Sequence, residues 1–363
     1  MEIDEPVTFC DLHCDTAMDI LAGARIDSHE TQVNIDYMRE GELGLQVFAC
    51  YQPPSIPVSH RVSIILDMLA QLKSEIENNP DDITMCMNAK EARTALAQNK
   101  IGAIFSIENG MAIENKLDNL RLFHDAGIRC LTITHAVSHD WAISTNDTDP
   151  RFDGLSSFGE KVIAAMNEMG MIIDLSHSHD RTVEKVLEIS SRPVLATHSG
   201  VYSLCPTRRN LKDELIKKIA DNGGVIGINF YPGFLDEHYL SVVEKRAGNL
   251  FANLTQMEQA AGTDINKITG MFDEFRSKIK NIMVDIRVPV DRIIDHVDYV
   301  IKLVGDDFVG FGSDFDGIPD FPTGLEDCSG FKLLKQKLIE RGYSKSTVDK
   351  ISHQNFLRVL EEQ

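Results

Sequence analysis

The sequence predicts an α/β protein built as a (β/α)8 barrel, and two observations point there. Short apolar runs alternate with longer amphipathic stretches eight times along the 363 residues, a pattern that favours a parallel sheet wrapped in helices. Most of the short runs are apolar almost throughout, as strands covered on both faces are. A doubly wound open sheet is the alternative, but no GxGxxG follows the first strand.

The expected strands, in order, are Val7–Cys10, Leu45–Cys50, Gly102–Ile107, Arg129–Thr134, Met171–Leu175, Pro193–Thr197, Gly224–Phe230 and Asp307–Gly312. The first, Val7-Thr8-Phe9-Cys10, is short, apolar and β-branched. Helical spacing lies between the strands. It is seen in Val62, Ile65, Leu66, Leu69, Leu72 and Ile76, and again in Ile293, Val297, Val300, Ile301 and Val304. Leu117, Leu120, Leu122 and Phe123 precede Gly127, a helix stop. Leu155–Met169 and Arg181–Ile189 also read as helices, and Ser344–Gln363 as a closing helix. Two stretches exceed the minimal unit. Asp81–Gln98 separates the second and third strands. Asp236–Asp285, highly charged, separates the seventh and eighth. Inserts of this kind on a barrel are lids or subunit contacts. The expectation is one domain over 1–363 with an insertion at about 236–285.

Composition excludes several classes. With 43% hydrophobic and 25% charged residues the chain is ordinary for a globular protein. A net charge of −20 argues against nucleic acid and anionic membranes. No apolar run approaches the roughly 20 residues of a membrane span. The seven cysteines are dispersed and show no CxxC pair, which reads as reduced, buried thiols. Met1–Pro6 is acidic and shows no signal-peptide core. A cytoplasmic location is the expectation.

Barrel chemistry gathers at the C-terminal ends of the strands. Strand one runs into Asp11-Leu12-His13-Cys14-Asp15, where two-residue spacing turns His13 and Asp15 to the same side and Cys14 to the other. Strand three ends in Glu108, four in His135, five in Asp174-Leu-Ser-His177, six in Thr197-His198 and eight in Ser313-Asp314. A single such residue reads as a helix cap or a satisfied polar group. Six strand ends converging on one rim read as a metal site. His13, Asp15, Glu108, His177 and His198 supply more N and O donors than one catalytic ion needs, so two ions are expected. Glu108 is the natural bridge, because a carboxylate has two oxygens, and a water between the ions would lose its proton near neutral pH.

These motifs, with Trp141 after His135, with Thr197-His198-Ser199, Arg208-Arg209-Asn210 and Gly312-Ser-Asp-Phe-Asp-Gly317, resemble the renal (membrane) dipeptidase family. That family is a branch of the amidohydrolase superfamily of metal-dependent hydrolases. The resemblance covers nearly the whole chain. It implies a zinc-dependent dipeptidase with two Zn2+ per chain, bridged by Glu108 and a water or hydroxide. His13 and Asp15 would bind one ion, and His177 and His198 the other. It further implies Arg209 on the substrate carboxylate, with Arg208 competing. His135 would contact the developing oxyanion, and Asp314 would hold the amine and carry the proton. Tyr231 is a pocket-wall candidate. L-Xaa-L-Xaa and L-Xaa-D-Xaa dipeptides are the expected substrates, and a homodimer is a family expectation. An amidohydrolase acting on N-acyl amino acids or cyclic amides, and a non-catalytic metal-binding barrel, are the alternatives.

Other residues compete. His179 lies two beyond His177, and Asp316 points the same way as Asp314 on an extended chain. His139 is expected on a loop, and His124 and His296 on amphipathic helices. Gly310, Gly312 and Gly317 are expected as tight-turn glycines and not as a phosphate loop.

Overall fold

In the computed structural model, which describes residues 8–363 apart from the side chains of residues 251–253, 255, 258 and 259, eight parallel strands close into a barrel. The strands in chain order are β1 (Phe9–Cys14), β2 (Leu43–Tyr51), β3 (Ile83–Met85), β4 (Ile101–Glu108), β5 (Ile128–Thr132), β6 (Ile172–Asp174), β7 (Leu195–Ser199), β8 (Val225–Ile228) and β9 (Val309–Phe311). The barrel omits β3. Its order is β1-β2-β4-β5-β6-β7-β8-β9, and β9 pairs back onto β1 at Asp11 and Phe311.

The short β3 falls in the stretch 81–98 and is followed by the helix Ala89–Ala97. It pairs with Ile101 to Ala103 of β4, below the point at which β5 joins β4 at Phe105. It therefore covers backbone donors and acceptors that the barrel leaves open. Val7, expected to open the first strand, lies outside the described residues. β1 instead runs on through Asp11 and His13 to Cys14, with a register irregularity against β2 between Asp11 and Cys14.

Two apolar cores follow from the closed sheet. One cluster gathers Cys10, Leu12, Leu45, Val47, Ile104, Cys130, Ile172, Leu195 and Val225, from seven barrel strands. Only the inside of the barrel can bring all of these together. Phe356, Leu357, Val359 and Leu360 of the final helix join the same cluster. They close the end of the barrel where the strands begin and leave the C-terminal ends open for polar groups. The larger cluster lies between strands and helices. In the helix Val58–Asn78 it takes Ile64, Ile65, Met68, Leu69, Leu72 and Ile76, a stripe at helical spacing. Each such side chain contributes roughly 1.5–3 kcal/mol on burial.

The insertion folds as helices Glu237–Ala247, Leu250–Ala261 and Ile265–Ile282, after a short turn of helix at Pro232–Leu235. Ile265–Ile282 buries Ile268, Met271, Phe275 and Ile279 and packs against Thr16–Leu21, the helix that follows β1. The chain's last segment is not one helix. Lys345–Asp349 and Asn355–Glu361 are joined by a π turn at Lys350–Gln354. No helix among the described residues is long and apolar enough to cross a membrane. All seven cysteines are free thiols and buried.

Candidate metal centre

The five expected ligands meet at the open end of the barrel. Glu108 ends β4, His13 is the last residue but one of β1, and His198 lies within β7. Asp15 is one residue past β1, at the N-terminus of the helix Thr16–Leu21, and not on the strand itself. His177 lies three residues beyond β6 with φ +65°, a left-handed backbone that costs a non-glycine residue about 1–2 kcal/mol. That turn is what brings the imidazole back over the barrel mouth.

Glu108 Oε1 is the focus. It lies 3.1 Å from His177 Nε2, 3.3 Å from His198 Nε2, 3.8 Å from His13 Nε2 and 3.9 Å from His135 Nε2. His13 Nε2 stands 3.7 Å from Asp15 Oδ2. Three sets of side chains each place their donor atoms within 4.8 Å of one another: His13, Asp15 and Glu108; Glu108, His177 and His198; and His13, His198 and Asp314.

Burial sets the protonation of this cluster. Burial, and then the neighbouring charge of Asp15, pushes the Glu108 carboxyl well above the ordinary range. Burial disfavours the charged form of His13, but the carboxylates of Glu108 and Asp15 outweigh it and raise the group to about 10. His177 and His198 are held below the usual histidine range by burial and by the Arg209 guanidinium. Two neutral imidazoles therefore face each other, Nε2 to Nε2, at 2.9 Å. His13 Nε2 and Asp15 Oδ1 are buried with no hydrogen-bond partner among the described residues. Crowded carboxylates, neutral imidazole nitrogens and orphaned buried donor atoms are what a divalent cation resolves, so the residues fit a metal. Glu108, common to two of the sets, fits a pair of ions.

The other expected residues line the same cavity, of about 380 Å3: His135, Arg209, Tyr231 and Asp314. Burial pushes His135 down to about 3, so its ring is neutral, and its Nδ1 has no partner among the described residues. Arg209 Nη2 donates to the carbonyl of His198 (3.0 Å), and its guanidinium sits 5.2 Å from the Phe234 ring. Its Nε and the Tyr231 hydroxyl are buried and unpartnered among the described residues. Asn229 Nδ2 donates to Asp314 Oδ2 (2.8 Å). Burial and then Asp15 raise the Asp314 carboxyl to about 6.

The competing residues separate cleanly. Asp316 is committed elsewhere, accepting from the Thr16 hydroxyl (2.6 Å) and the Gln32 backbone N–H (2.8 Å). Arg208 is exposed and lines a different cleft with His179 and Lys212. His179 caps the helix Asp180–Ile189, accepting from Arg181 N–H. His139 does sit on a loop but is buried there, its Nε2 2.8 Å from the Ile133 carbonyl. His124 is partly exposed on its helix, and His296 is a core residue.

None of Gly310, Gly312 and Gly317 adopts a left-handed φ; Gly310 lies within β9, while Gly317 does close a tight turn, its N–H donating to the Asp314 carbonyl (3.1 Å). At Gly312 a Cβ would stand 1.7 Å from the Thr197 carbonyl oxygen. At Gly317 it would stand 2.0 Å from Asp15 Oδ2 and 2.7 Å from Asp314 Oδ1. Gly317 is thus the space into which the Asp15 and Asp314 carboxylates fit.

The sequence reading missed the supports of the site. Asp11 accepts from the backbone N–H (2.7 Å) and hydroxyl (2.6 Å) of Ser313 and from Gln46 Nε2 (3.1 Å), tying β1 to the loop that carries Asp314. Asn229 was hidden inside an apolar run. The insertion supplies Thr269, Phe272, Phe275 and Arg276 to the cavity wall, and Arg276 Nη1 donates to the Asp316 carbonyl. The signal for Asp11 was there to be read: an acidic residue inside a buried strand needs donors from a neighbouring strand.

The fold and this cluster define a barrel whose open end carries side chains that fit a metal, and the comparisons with known proteins give its family. The chain belongs to the membrane dipeptidase family, peptidase family M19, whose pattern matches residues 1–363. Dipeptidase 3 of Mus musculus is 28% identical over 335 residues, which cover 91% of this chain and 58% of that protein. Dipeptidase aclJ of Aspergillus oryzae is 30% identical over 338 residues, 91% of this chain and 69% of that one. The chain thus spans under three-fifths of the mouse protein's length. Among solved structures, the probable dipeptidase PvdM from Pseudomonas aeruginosa superimposes with a TM-score of 0.83 at 25% identity, covering 98% of this chain and 95% of that one.

Proposed function

We propose that the protein is a zinc-dependent dipeptidase that cleaves the amide bond of L-Xaa-L-Xaa and L-Xaa-D-Xaa dipeptides. Two ions would be held by His13, Asp15, Glu108, His177 and His198. The observation that carries this reading is the content of one cavity. Beside the ligand cluster it presents Arg209 and Asp314 in about 380 Å3, whereas Arg276 and Asp316 on the same wall are engaged by neighbours, Arg276 by Asp273 and the Asp316 carbonyl, and Asp316 by Thr16 and Gln32. That volume is near the low end for small-molecule sites and suits a dipeptide rather than a long chain. A dipeptide offers a carboxylate, an amide and an amine within that space.

When bound, the ions supply a water activated near neutral pH and polarise the scissile carbonyl. The protein's own residues do the rest. Arg209 pairs its planar fork with the substrate carboxylate, and its anchored Nη2 fixes the direction of the free Nε. The unpartnered Tyr231 hydroxyl lies in the same cavity and suits the same end. His135, neutral, donates a hydrogen bond to the carbonyl oxygen as negative charge builds there. Asp314 has one oxygen held by Asn229, leaves the other for the substrate amine, and passes a proton from the attacking water to the leaving nitrogen. An Asp314 carboxylate oxygen lies within 4.8 Å of a ring nitrogen of His13 and of His198, which supports this role beside the ions those residues would hold. The helices of the insertion 236–285 act as a lid on one catalytic domain, placing Phe272 and Phe275 on the cavity wall. The seven buried thiols support a reducing compartment, the cytoplasm.

The test is a substrate panel on zinc-loaded protein: L-Ala-L-Ala, L-Ala-D-Ala, N-acetyl-L-alanine and a cyclic amide. Hydrolysis of the dipeptides alone supports the proposal, because only they carry the amine for Asp314. Hydrolysis of N-acetyl-L-alanine or the cyclic amide in preference assigns the site to the acyl-amide class. Zinc bound with no turnover of any substrate makes the barrel a binding protein.

A further inference from the structure

Asp174 and Thr197 belong to none of the metal-holding sets and line no part of the catalytic cavity, yet both are buried directly beneath it. Asp174 ends β6, and Thr197 precedes His198 in β7. The Asp174 carboxylate accepts four hydrogen bonds. Oδ1 takes the backbone N–H of Ser176 (3.0 Å) and of Thr197 (2.8 Å). Oδ2 takes the hydroxyls of Thr132 (2.6 Å) and of Thr197 (2.7 Å). Four donors fill the acceptor capacity of a carboxylate, so Asp174 meets each of these partners as an acceptor.

The consequence passes along the chain of contacts. Since Asp174 only accepts, the Thr197 O–H must point at it. The lone pairs of Thr197 Oγ1 are then left for its other neighbours, His198 Nδ1 at 2.8 Å and, more distantly, Ser176 Oγ at 3.4 Å. A ring nitrogen facing a hydroxyl oxygen whose proton is already directed elsewhere can bond to it only as a donor. The proton of the neutral imidazole therefore sits on Nδ1, and Nε2 carries the lone pair. Nε2 is the atom that faces His177 Nε2 and Glu108 Oε1.

We infer that Asp174 and Thr197 are positioning residues: through a carboxylate–hydroxyl–imidazole chain they lock His198 in the tautomer whose Nε2 is open to a metal ion. The inference rests on the metal-centre reading above. It also accounts for a buried acidic residue that the proposed chemistry never uses. Placing a hydroxyl between the carboxylate and the ring sets the tautomer without bringing the charge into contact with the imidazole.

The experiment has two arms. In metal-free protein with 15N-labelled histidine, two-bond 1H–15N correlations report which nitrogen of His198 is protonated, with the signals assigned by their loss in His198→Gln. Nδ1–H in the wild type is expected, and Nε2–H would overturn the inference without recourse to any variant. In the second arm zinc affinity is measured by competition with a chromophoric chelator. Thr197→Val should bind about 10–100-fold more weakly than wild type, the usual cost of losing a partner of a ligating histidine. Thr197→Ser, which keeps the hydroxyl, should recover to within about threefold. Matching melting curves of the metal-free proteins show that the loss is not unfolding. If wild type takes up no zinc, the metal reading falls and this inference with it. If wild type binds zinc and Thr197→Val binds it equally tightly, this inference alone falls.

Discussion

Gly317→Ala separates the site from the fold. The backbone at Gly317 is not left-handed, so alanine meets no conformational penalty there. The added Cβ would stand 2.0 Å from Asp15 Oδ2 and 2.7 Å from Asp314 Oδ1, where ordinary contact begins at 3.4 Å. The Asp15 carboxylate must retreat by more than 1 Å, and Asp314 by rather less. A displacement of about 1 Å of a reacting or ligating group costs on the order of 100-fold in rate. With two carboxylates moved, kcat/KM for L-Ala-D-Ala should fall about 100- to 1,000-fold, or roughly 3–4 kcal/mol in transition-state stabilisation. Bound metal, measured by elemental analysis after dialysis, should fall as well, because Asp15 is one of the five proposed ligands. Thermal unfolding of the metal-free protein should change little. A Gly317→Ala protein with wild-type metal content and activity would refute the view that this glycine exists to admit the two carboxylates.

Asp314→Asn should keep metal content near the wild-type level while kcat falls about 100- to 10,000-fold, the range for a lost proton carrier; an active variant would remove Asp314 from that role. Arg209→Lys exchanges a planar fork for a point charge and should raise KM by about tenfold or more, an effect absent on a dipeptide amide that lacks the carboxylate. Stability should also fall in acid through His296. Burial holds this side chain at about 4, with Nδ1 accepting from Val201 N–H (3.0 Å) and Nε2 facing the Leu235 carbonyl (3.2 Å). Between its unfolded value near 6.5 and about 4 the unfolded chain binds the extra proton, so stability rises with pH across that window. The contribution is complete above about pH 6.5 and is lost progressively on acidification, amounting to about 3 kcal/mol at most. Urea unfolding at pH 7, 5.5 and 4 should show a shallower pH slope for His296→Asn than for wild type, whatever its baseline stability.

Much of this molecule was legible in its sequence because a closed parallel sheet leaves a strong mark. Strands covered on both faces read as apolar runs, and each of the eight expected runs overlaps a barrel strand. Their ends were less legible. β1 continues through Asp11 and His13, since polar side chains are tolerated at the barrel mouth where they find partners. Asp15, His177 and Asp314 lie beyond their strands, the last two in left-handed conformations, so two-residue strand spacing does not explain how they converge. Their place came from the motifs and not from periodicity. β3 is only three residues long and carries no apolar run of its own. Thr197 stands in a quoted motif and Asn229 in an apolar run, but the supporting roles of both were illegible for a different reason. A lone polar residue in an apolar strand acquires meaning only from the partner that another strand brings to it. The charged insertion was recognisable as an addition, but nothing local shows that Phe272 and Phe275 turn toward the cavity. That depends on how the helix Ile265–Ile282 packs on Thr16–Leu21.

Side chains delivered by separate strands meet around Glu108, where we propose the metal centre. Anomalous diffraction from zinc-loaded crystals, collected on both sides of the zinc absorption edge, tests it most directly. Two peaks sharing Glu108 are expected, one beside His13 and Asp15 and the other beside His177 and His198. An empty cluster in protein that carries zinc elsewhere, or a lone peak that leaves His13 and Asp15 untouched, would contradict it.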